Sequence, residues 1–459
     1  MSKNRDLFHR DPTTRTLAND GVARVSVVID PVVATEELEM FVCEGQYEKG
    51  LEIILQTYLN NIAKSVQPSA WVSGFFGSGK SHLVKVLRYL WTNEVIANGK
   101  KARDLCNLPE TITDLLRDLD TQAKQAGGLF ACSGILESDS APRLPGKIAG
   151  IVLSHLGLPS DPMTARFVLR LRVDGLEEKL EAQLGNDYER EVEDFRVSKD
   201  IGEFLAKHQP SLGADAAAVL TKLNTNYPTE KIITIDEMVK LISDTVTQRF
   251  GTIPCTLLVL DEAQQYIGAD PDRGSQLQHV AEALSSRFKG RIMVVCTGQS
   301  ALNTTELLRK LQDRFTRQIQ LQDKDIDTVI RNVVLRKKPE QRTAIEQCVG
   351  TAEGEISRQL KNTRLESVAD DKTRYVDDYP VLPVRRRFWE KFLRAVETGL
   401  TGQLRTQLRL TLEAVQKIAD KPLGTVIPAD ALFDQLATIM VENGALDRQQ
   451  SNDIQKLLN

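Results

Sequence analysis

One short segment combines glycines, a lysine and a serine at a spacing suited to holding phosphate groups. Residues 74–81 read Gly-Phe-Phe-Gly-Ser-Gly-Lys-Ser and fit the pattern G-x-x-x-x-G-K-[ST] at every defined position. Glycines allow backbone angles that turn successive N–H groups onto an anion, and a following helix adds the positive end of its dipole. A lysine can reach the outer phosphates, and a serine hydroxyl can bind Mg²⁺. The predicted contacts are Gly74, Gly77, Ser78, Gly79, Lys80, Ser81 and His82, and Ser81 is also a predicted metal ligand.

Two carboxylates follow an apolar run later in the chain and would complete such a site. Residues 257–260 read Leu-Leu-Val-Leu, as in a buried strand, and Asp261 and Glu262 come directly after them. Open α/β sheets bind ligands at the carboxyl ends of their strands. We therefore expect Asp261 to hold the Mg²⁺ hydration shell and Glu262 to act as a general base on an attacking water. The alternative is an ordinary acidic turn after a core strand.

A third strand ends in polar residues that are candidates to sense the terminal phosphate. The apolar run 292–296 is followed by Thr297 and Gln299. A polar side chain here is predicted to sit between the two previous elements and to contact the phosphate by hydrogen bonding. A plain turn after a core strand remains the alternative.

Three arginines are candidates to contact the nucleotide, two of them to stabilise transition-state charge. Arg314 and Arg317 precede the alternating segment 318–321, and in an oligomer either one could reach the nucleotide of the next subunit. A surface salt bridge is the competing interpretation for both. Arg405, which opens a later helix, could fold back onto the nucleotide from a helical lid.

The elements needed to position these side chains alternate between strands and helices. This order predicts an α/β fold, a doubly wound parallel sheet. From Lys80 to Asp261 is 181 positions, which predicts an inserted helical region. The predicted organisation is an extended lead-in over 1–40, a core over 41–100 and 251–330, a mostly helical insertion over 101–250, and a helical lid and carboxyl-terminal region over 331–459.

Composition narrows the class of protein. The 459 residues are 41% hydrophobic and 27% charged, with a formal net charge of −4, which is ordinary for a globular protein and gives no global nucleic-acid signal. No apolar run approaches the roughly 18 residues of a membrane helix, and residues 1–11 have no apolar signal-peptide core. The six cysteines form no C-x-x-C pair. We expect a cytoplasmic protein without a membrane partner.

Taken together, these motifs resemble the AAA+ branch of P-loop ATPases, with ATP and Mg²⁺ as the implied cofactors and a homo-oligomer as the implied assembly. More narrowly, the chain resembles the amino-terminal part of BrxC/PglY-type ATPases of bacterial BREX phage-exclusion systems. That resemblance lies in residues 7–12, 73–82, 260–266, 380–383 and 385–389. It implies a methyltransferase and a phosphatase-like protein as partners, and we expect this chain to be part of a longer protein.

Two other functions compete with an ATPase module that couples nucleotide state to assembly or DNA handling. The first is a regulatory switch that binds ATP and hydrolyses it slowly or not at all. The second is an initiator-like, DNA-binding AAA+ protein, with residues 385–389 (Arg-Arg-Arg-Phe-Trp) as its basic-aromatic patch. The alternative interpretation of that patch is a helix start with an exposed basic face and a buried aromatic pair.

Overall fold

The structure is a computed structural model. It describes residues 2–14, 30–62, 64–74, 78–136, 144–229, 231–302, 304, 306–321, 324–396, 404–428, 430–442, 444 and 446–458. Gly77, one of the predicted phosphate contacts, lies outside the described residues.

The centre of the molecule is a five-stranded parallel sheet. Its strands are β1 (Ala70–Ser73), β4 (Leu129–Ile135), β5 (Cys255–Asp261), β6 (Ile292–Gly298) and β7 (Arg317–Gln320). Their order across the sheet is β4-β5-β6-β1-β7. A separate antiparallel hairpin is formed by β2 (Val95–Ala97) and β3 (Lys100–Lys101). The α/β class and the parallel sheet predicted from the sequence are confirmed.

Helices make up most of the remaining described structure. They are α1 (Pro31–Glu39), α2 (Gly45–Asn61), α3 (Lys80–Thr92), α4 (Ala102–Leu105), α5 (Glu110–Ala126), α6 (Leu144–His155), α7 (Pro162–Val173), α8 (Glu177–Leu184), α9 (Tyr188–Glu193), α10 (Lys199–His208), α11 (Ala216–Asn226), α12 (Ile235–Phe250), α13 (Ala263–Ile267), α14 (Pro271–Arg287), α15 (Glu306–Arg309), α16 (Lys324–Val333), α17 (Arg342–Leu360), α18 (Asp371–Asp378), α19 (Pro383–Val396), α20 (Leu404–Lys417), α21 (Ala431–Glu442) and α22 (Arg448–Leu458). None of these described helices combines the length and apolar character needed to cross a membrane.

The sheet is covered on both faces, which explains why its central strands are apolar throughout. Along β5, Leu257 and Val259 pack into a core with α2, α3 and α5, whereas Leu258 and Leu260 pack into a second core with α6, α12 and α14. Successive strand side chains point to opposite faces, so burial on both sides requires a continuous apolar run. All seven residues of β5 and of β6 are buried.

The segment predicted as a mostly helical insertion, 101–250, also contributes to the sheet. β4 pairs with β5 from Leu129–Cys255 to Ile135–Asp261, and α5 covers one face. Helices α6 to α12 supply the remainder of that segment, and their core is continuous with the sheet core. The apolar run that begins β4 identifies it as a strand, but only pairing with a strand more than 100 residues away places it in the sheet.

The lead-in predicted to be extended over 1–40 is partly helical. Asp30 caps α1 by accepting the N–H groups of Val32 and Val33, and Pro31 occupies the first turn, where a missing N–H costs nothing. Residues 2–14 contain two short 3₁₀ turns and pack against the carboxyl-terminal helices. Leu7 and Phe8 are buried in the two hydrophobic cores of that region.

Candidate functional site

The carboxyl ends of β1, β5 and β6 meet at one edge of the sheet. β6 lies between the other two strands, with Ser73 opposite Gly298 and Leu260 opposite Cys296. This is the position that the sequence predicts for the third strand. It brings the glycine-rich loop after β1, the carboxylates after β5 and the polar turn after β6 to the same edge, despite their separation in sequence.

The described glycines of the loop lie where a side chain would not fit. A Cβ on Gly74 would lie 2.5 Å from Ser78 Oγ and 3.2 Å from the Leu321 carbonyl oxygen. Gly79 has a φ of +84°, and a Cβ there would lie 2.7 Å from the Tyr47 hydroxyl. Both positions therefore require glycine, for room in the first case and for room and backbone angle in the second. Ser78 Oγ is buried and has no hydrogen-bond partner among the described residues.

A tyrosine from α2 holds the loop in place. The Tyr47 hydroxyl is buried and donates a hydrogen bond to the Ser78 carbonyl oxygen at 2.7 Å. Its ring also packs edge-on against Phe41, with ring centroids 6.2 Å apart. Helical spacing predicts Tyr47 as a core residue of α2, but nothing in the sequence indicates its bond to a loop 31 residues away.

Lys80 lies at the start of α3 with its ammonium over the loop. Its Nζ donates to the Gly74 carbonyl oxygen at 2.7 Å. Burial lowers the pKa of Lys80 to about 8, and the nearby Asp261 and Glu262 carboxylates act in the opposite direction. Ser81, the next residue, is partly buried in the first turn of the same helix. A phosphate at this helix end would meet free backbone N–H groups, the helix dipole and the ammonium together.

Asp261 and Thr297 form a buried hydrogen-bonded pair that also fixes the backbone of Glu262. Thr297 Oγ1 donates to Asp261 Oδ1 and accepts the Glu262 N–H at 2.9 Å. The same N–H lies 3.1 Å from Asp261 Oδ1. Within the part of the chain that the structure describes, both bonds to this carboxylate go to Oδ1, which leaves Oδ2 for a cation. The observed role of Thr297 is thus to orient the acidic turn.

The backbone of Glu262 is in the left-handed region, with a φ of +58°. Such a conformation is uncommon for a residue with a side chain and persists only where the surroundings impose it. Here Thr297 holds its N–H, and its side chain is only partly buried. The strained position presents the carboxylate at the same edge as Lys80.

The donors present suit a magnesium ion bound together with phosphate. Mg²⁺ is usually held by one or two carboxylates and substrate phosphates rather than by a cage of protein ligands. Asp261 and the Ser81 hydroxyl match that donor set. Across the described ranges, no group of three or more His, Cys, Asp or Glu side chains could hold a metal ion alone.

The turn after β6 carries Gln299, whose side chain is exposed at the same edge. Its neighbour Ser300 is bound by two side chains that the sequence does not single out. Gln264 contacts its backbone N–H and hydroxyl, and the Trp71 indole contacts its carbonyl oxygen. Gln264 closely follows the two predicted carboxylates and lies within residues 260–266, which carry part of the family resemblance, but neither fact assigns it a contact with Ser300.

His82, a predicted nucleotide contact, has its side chain against α1. Its Nε2 lies 3.0 Å from the Glu37 carbonyl oxygen, and its ring meets Phe41 edge-on at 5.6 Å between centroids. Burial lowers the pKa of His82. Glu37 also forms a buried ion pair with Lys85 of α3, at 2.7 Å. His82 therefore contributes to the packing of α1 on the nucleotide-loop helix.

Arg314 and Arg317 lie at the amino end of the parallel strands, whereas the loop lies at their carboxyl end. Arg317 is opposite Ala70, the first residue of β1, and its N–H donates to the Ser69 carbonyl oxygen at 3.3 Å. Four residues of strand, roughly 10 Å, separate this level from the loop. Arg314 forms a 2.8 Å ion pair with Glu282 of α14. Neither arginine is placed to contact a nucleotide bound at the loop of its own subunit.

Arg405 lies in the first turn of α20, and its side chain is outside what the structure describes. The arginines of the 385–389 patch are engaged within the chain. Arg385 donates to the Ile427 carbonyl oxygen, Arg386 pairs with Asp327, and Arg387 pairs with Asp371. Of the aromatic pair that the alternative interpretation predicts to be buried, Trp389 is buried and Phe388 is partly buried, and the arginines do not form the exposed basic face that it also predicts.

No known protein-family model matches this chain.

Proposed function

We propose that this edge of the sheet binds ATP with Mg²⁺ and hydrolyses it. The observation that carries the proposal is the convergence of Lys80, Asp261 and Glu262. They come from segments 181 positions apart in sequence, yet each lies at or just beyond the carboxyl end of β1 or β5, with only β6 between the two strands, and both carboxylates raise the pKa of the lysine. A partly buried ammonium, a glycine-containing loop at a helix start and two carboxylates are groups that phosphoryl transfer to water uses.

Each residue has a defined part in this proposal. The loop N–H groups and Lys80 bind the β- and γ-phosphates, and Gly74 and Gly79 allow the backbone to approach them. Ser81 and Asp261 hold Mg²⁺, which neutralises charge on the phosphates when it is bound. Glu262 accepts the proton of the attacking water, and Thr297 keeps the acidic turn in place. Gln299 is the residue of the sensor turn (297–300) that faces the γ-phosphate.

The wider setting is also part of the proposal. We propose an AAA+-type ATPase module of a cytoplasmic, BREX-type phage-defence complex that couples nucleotide state to assembly or to DNA handling. It rests on the sequence motifs quoted above, together with a sheet in which the segments that follow β1 and β5 lie at the same end. The methyltransferase and the phosphatase-like protein are the proposed partners.

A slow, regulatory switch is the second candidate, and one observation favours it. Arg314 and Arg317 both lie at the amino end of the strands, away from the loop at their carboxyl end. An isolated subunit would therefore lack a cation on the γ-phosphate from either residue. Turnover would be slow in the monomer and would increase only when a neighbouring subunit supplies an arginine.

Substitution of Lys80 by Ala tests the binding site. We expect Lys80→Ala to abolish tight ATP binding, because it removes the ammonium directed at the phosphates. Lys100→Ala, at an exposed position in β3, is the matched control and should bind ATP normally. Calorimetry measures both affinities, and equal affinity in the two variants would refute the phosphate-loop assignment.

Substitution of Glu262 by Gln separates an ATPase from a passive switch. The amide preserves shape and leaves Asp261 in place, but it cannot accept a proton from water. ATP should bind normally, and single-turnover hydrolysis should slow by about 10²–10⁴-fold. Normal hydrolysis in Glu262→Gln would mean that another group activates water, whereas no hydrolysis in the wild type at any protein concentration would favour the switch.

A further inference from the structure

The side chain of Gln264 binds the sensor turn at two points. Its Oε1 accepts the backbone N–H of Ser300 at 2.7 Å, and its Nε2 lies 3.3 Å from Ser300 Oγ, to which it donates. A backbone N–H can only donate, so the amide oxygen must face it and the orientation of the amide is defined by chemistry. One residue of α13 therefore fixes both the backbone and the hydroxyl of Ser300.

Trp71 closes the other side of the same turn. Its Nε1 donates to the Ser300 carbonyl oxygen at 3.1 Å. A Cβ on Gly298 would lie 2.3 Å from Trp71 Cζ2 and 3.0 Å from Gln264 Oε1. The turn thus runs through a gap between the Trp71 ring and the Gln264 amide in which only a glycine fits at position 298.

The sensor turn is consequently joined to the acidic turn (residues 261–264) at both ends. At its start, Thr297 bonds to Asp261 and to the Glu262 N–H. At its end, Ser300 bonds to Gln264. Gln299 lies between these two connections with its side chain exposed, and Glu262 lies between the two residues that make them. The strained backbone of Glu262 needs such fixed neighbours on both sides.

We infer that Gln264 is a positioning residue for ATP hydrolysis. It couples the sensor turn, which contacts the γ-phosphate in the proposed site, to the general base Glu262. This inference rests on the proposed function. Two short turns joined at both ends move as one unit. A displacement of Gln299 by the γ-phosphate therefore shifts Glu262 with it, and loss of the Gln264–Ser300 connection leaves the two turns joined only through Thr297 among these side-chain bonds.

Substitution of Gln264 by Met tests the inference, since methionine has a similar length but cannot make either hydrogen bond. We expect kcat to fall by about 10- to 100-fold, the loss typical of a misplaced catalytic group, while the Kd for ATP changes by less than about twofold. Gln265→Met is the matched control, because Gln265 is the next residue of the same helix and is exposed. It should retain the wild-type kcat.

A second comparison separates positioning from simple loss of stability. Gln264→Glu keeps an oxygen for the Ser300 N–H, and the serine hydroxyl can rotate to donate to the new carboxylate. It should retain far more turnover than Gln264→Met. Ser300→Ala should lower kcat modestly in the wild type and should have no added effect in the Gln264→Met background, because the two residues share one interaction. Fully multiplicative effects would overturn the inference.

The outcomes distinguish the positioning role of Gln264 from the proposed ATPase function on which it rests. If the wild type hydrolyses ATP in a Lys80-dependent manner and Gln264→Met does so at the same rate, Gln264 has no positioning role and the ATPase assignment stands. If Gln264→Met reduces ATP binding and thermal stability while kcat per bound ATP is unchanged, its role is structural and the inference is wrong. If the wild type shows no Lys80-dependent turnover, the ATPase proposal itself fails.

Discussion

The ammonium of Lys80 is partly removed from solvent. Burial brings the pKa of its ammonium down to about 8, so part of the free protein lacks this charge in mildly alkaline solution. In the proposed site the phosphates of ATP lie beside Lys80, and their negative charge favours the protonated lysine and raises its pKa. Binding and protonation of Lys80 are therefore coupled.

We predict that ATP binding takes up a proton in mildly alkaline solution and weakens as the pH rises through the pKa of Lys80. Below that pKa the free lysine is already charged and uptake disappears. Calorimetry in buffers of different ionisation enthalpy, at about pH 7 and about pH 8.5, measures the uptake. Lys80→Arg is the control, because its guanidinium stays charged at both values. Equal uptake in Lys80→Arg and the wild type would contradict the assignment to Lys80.

At the residue scale, the sequence predicts those candidate site residues that belong to a local sequence pattern. Lys80 is identified by the loop pattern, and Asp261 and Glu262 by their place after an apolar run. Tyr47, Gln264 and Trp71 are not identified, because they act through bonds to residues 31, 36 and 229 positions away. Such bonds depend on which strands become neighbours, and the sequence alone does not determine that order.

At the scale of elements, the burial of a strand determines how clearly the sequence predicts it. β5 and β6 are covered on both faces, and their continuous apolar runs predict them clearly. β7 has only one buried residue, Ile319, and three exposed ones, so its sequence reads as a polar alternation. The sequence predicts the central strands of this sheet, whereas the edge strand and its parallel pairing with β1 require the tertiary structure.

The position of β7 leads to a prediction about assembly. Arg314 and Arg317 lie at the amino end of the strands, and the trans-arginine hypothesis is that one of them acts on the nucleotide of a neighbouring subunit. Hydrolysis per subunit should then increase with protein concentration. Substitution by Ala of whichever arginine acts on the neighbouring nucleotide should lower hydrolysis by about 10³–10⁵-fold while ATP binding is retained. Mixing that variant with Lys80→Ala should restore part of the activity.

The ion pair of Arg314 provides a control for this experiment. Arg314→Ala also removes the pair with Glu282, so Glu282→Ala reports how much of any loss comes from that pair alone. Arg317→Ala has no such complication among the ion pairs of the described residues. A rate per subunit that does not depend on concentration, with no rescue on mixing, would reject the trans-arginine hypothesis and favour the monomeric switch.

At the scale of the whole molecule, charges that look like a binding surface in the sequence hold the carboxyl-terminal helices together. Arg386 is buried between Asp327 and Asp378, and Asp378 is also bonded by Arg331. These pairs connect α16, α18 and α19. A run of arginines beside aromatic residues suggests DNA binding, but Asp327, Asp371 and Asp378 pair with Arg386 and Arg387 within the chain.

We therefore predict that Arg386→Ala destabilises the protein instead of weakening contact with DNA. Removal of one partner from a buried pair leaves carboxylates without full compensation, and the free energy of unfolding should fall by up to about 3 kcal/mol. Denaturant unfolding measures this loss, with Lys391→Ala, exposed on the same helix, as the control. A lower salt dependence of DNA binding in Arg386→Ala, without a change in stability, would restore the DNA-contact interpretation.

The attachment of residues 2–14 to the carboxyl-terminal helices has a consequence for biosynthesis. The side chain of Asn4 is bonded to carbonyl oxygens of Ile418 and Thr425, the latter 421 positions away. At about 5–20 residues per second, a ribosome needs roughly 20–80 s to make the chain between these partners. Every strand of the central sheet is translated within that interval. The other buried residues of the cores that hold Leu7 and Phe8 come from position 330 onward, so these two apolar side chains stay exposed to solvent for much of translation.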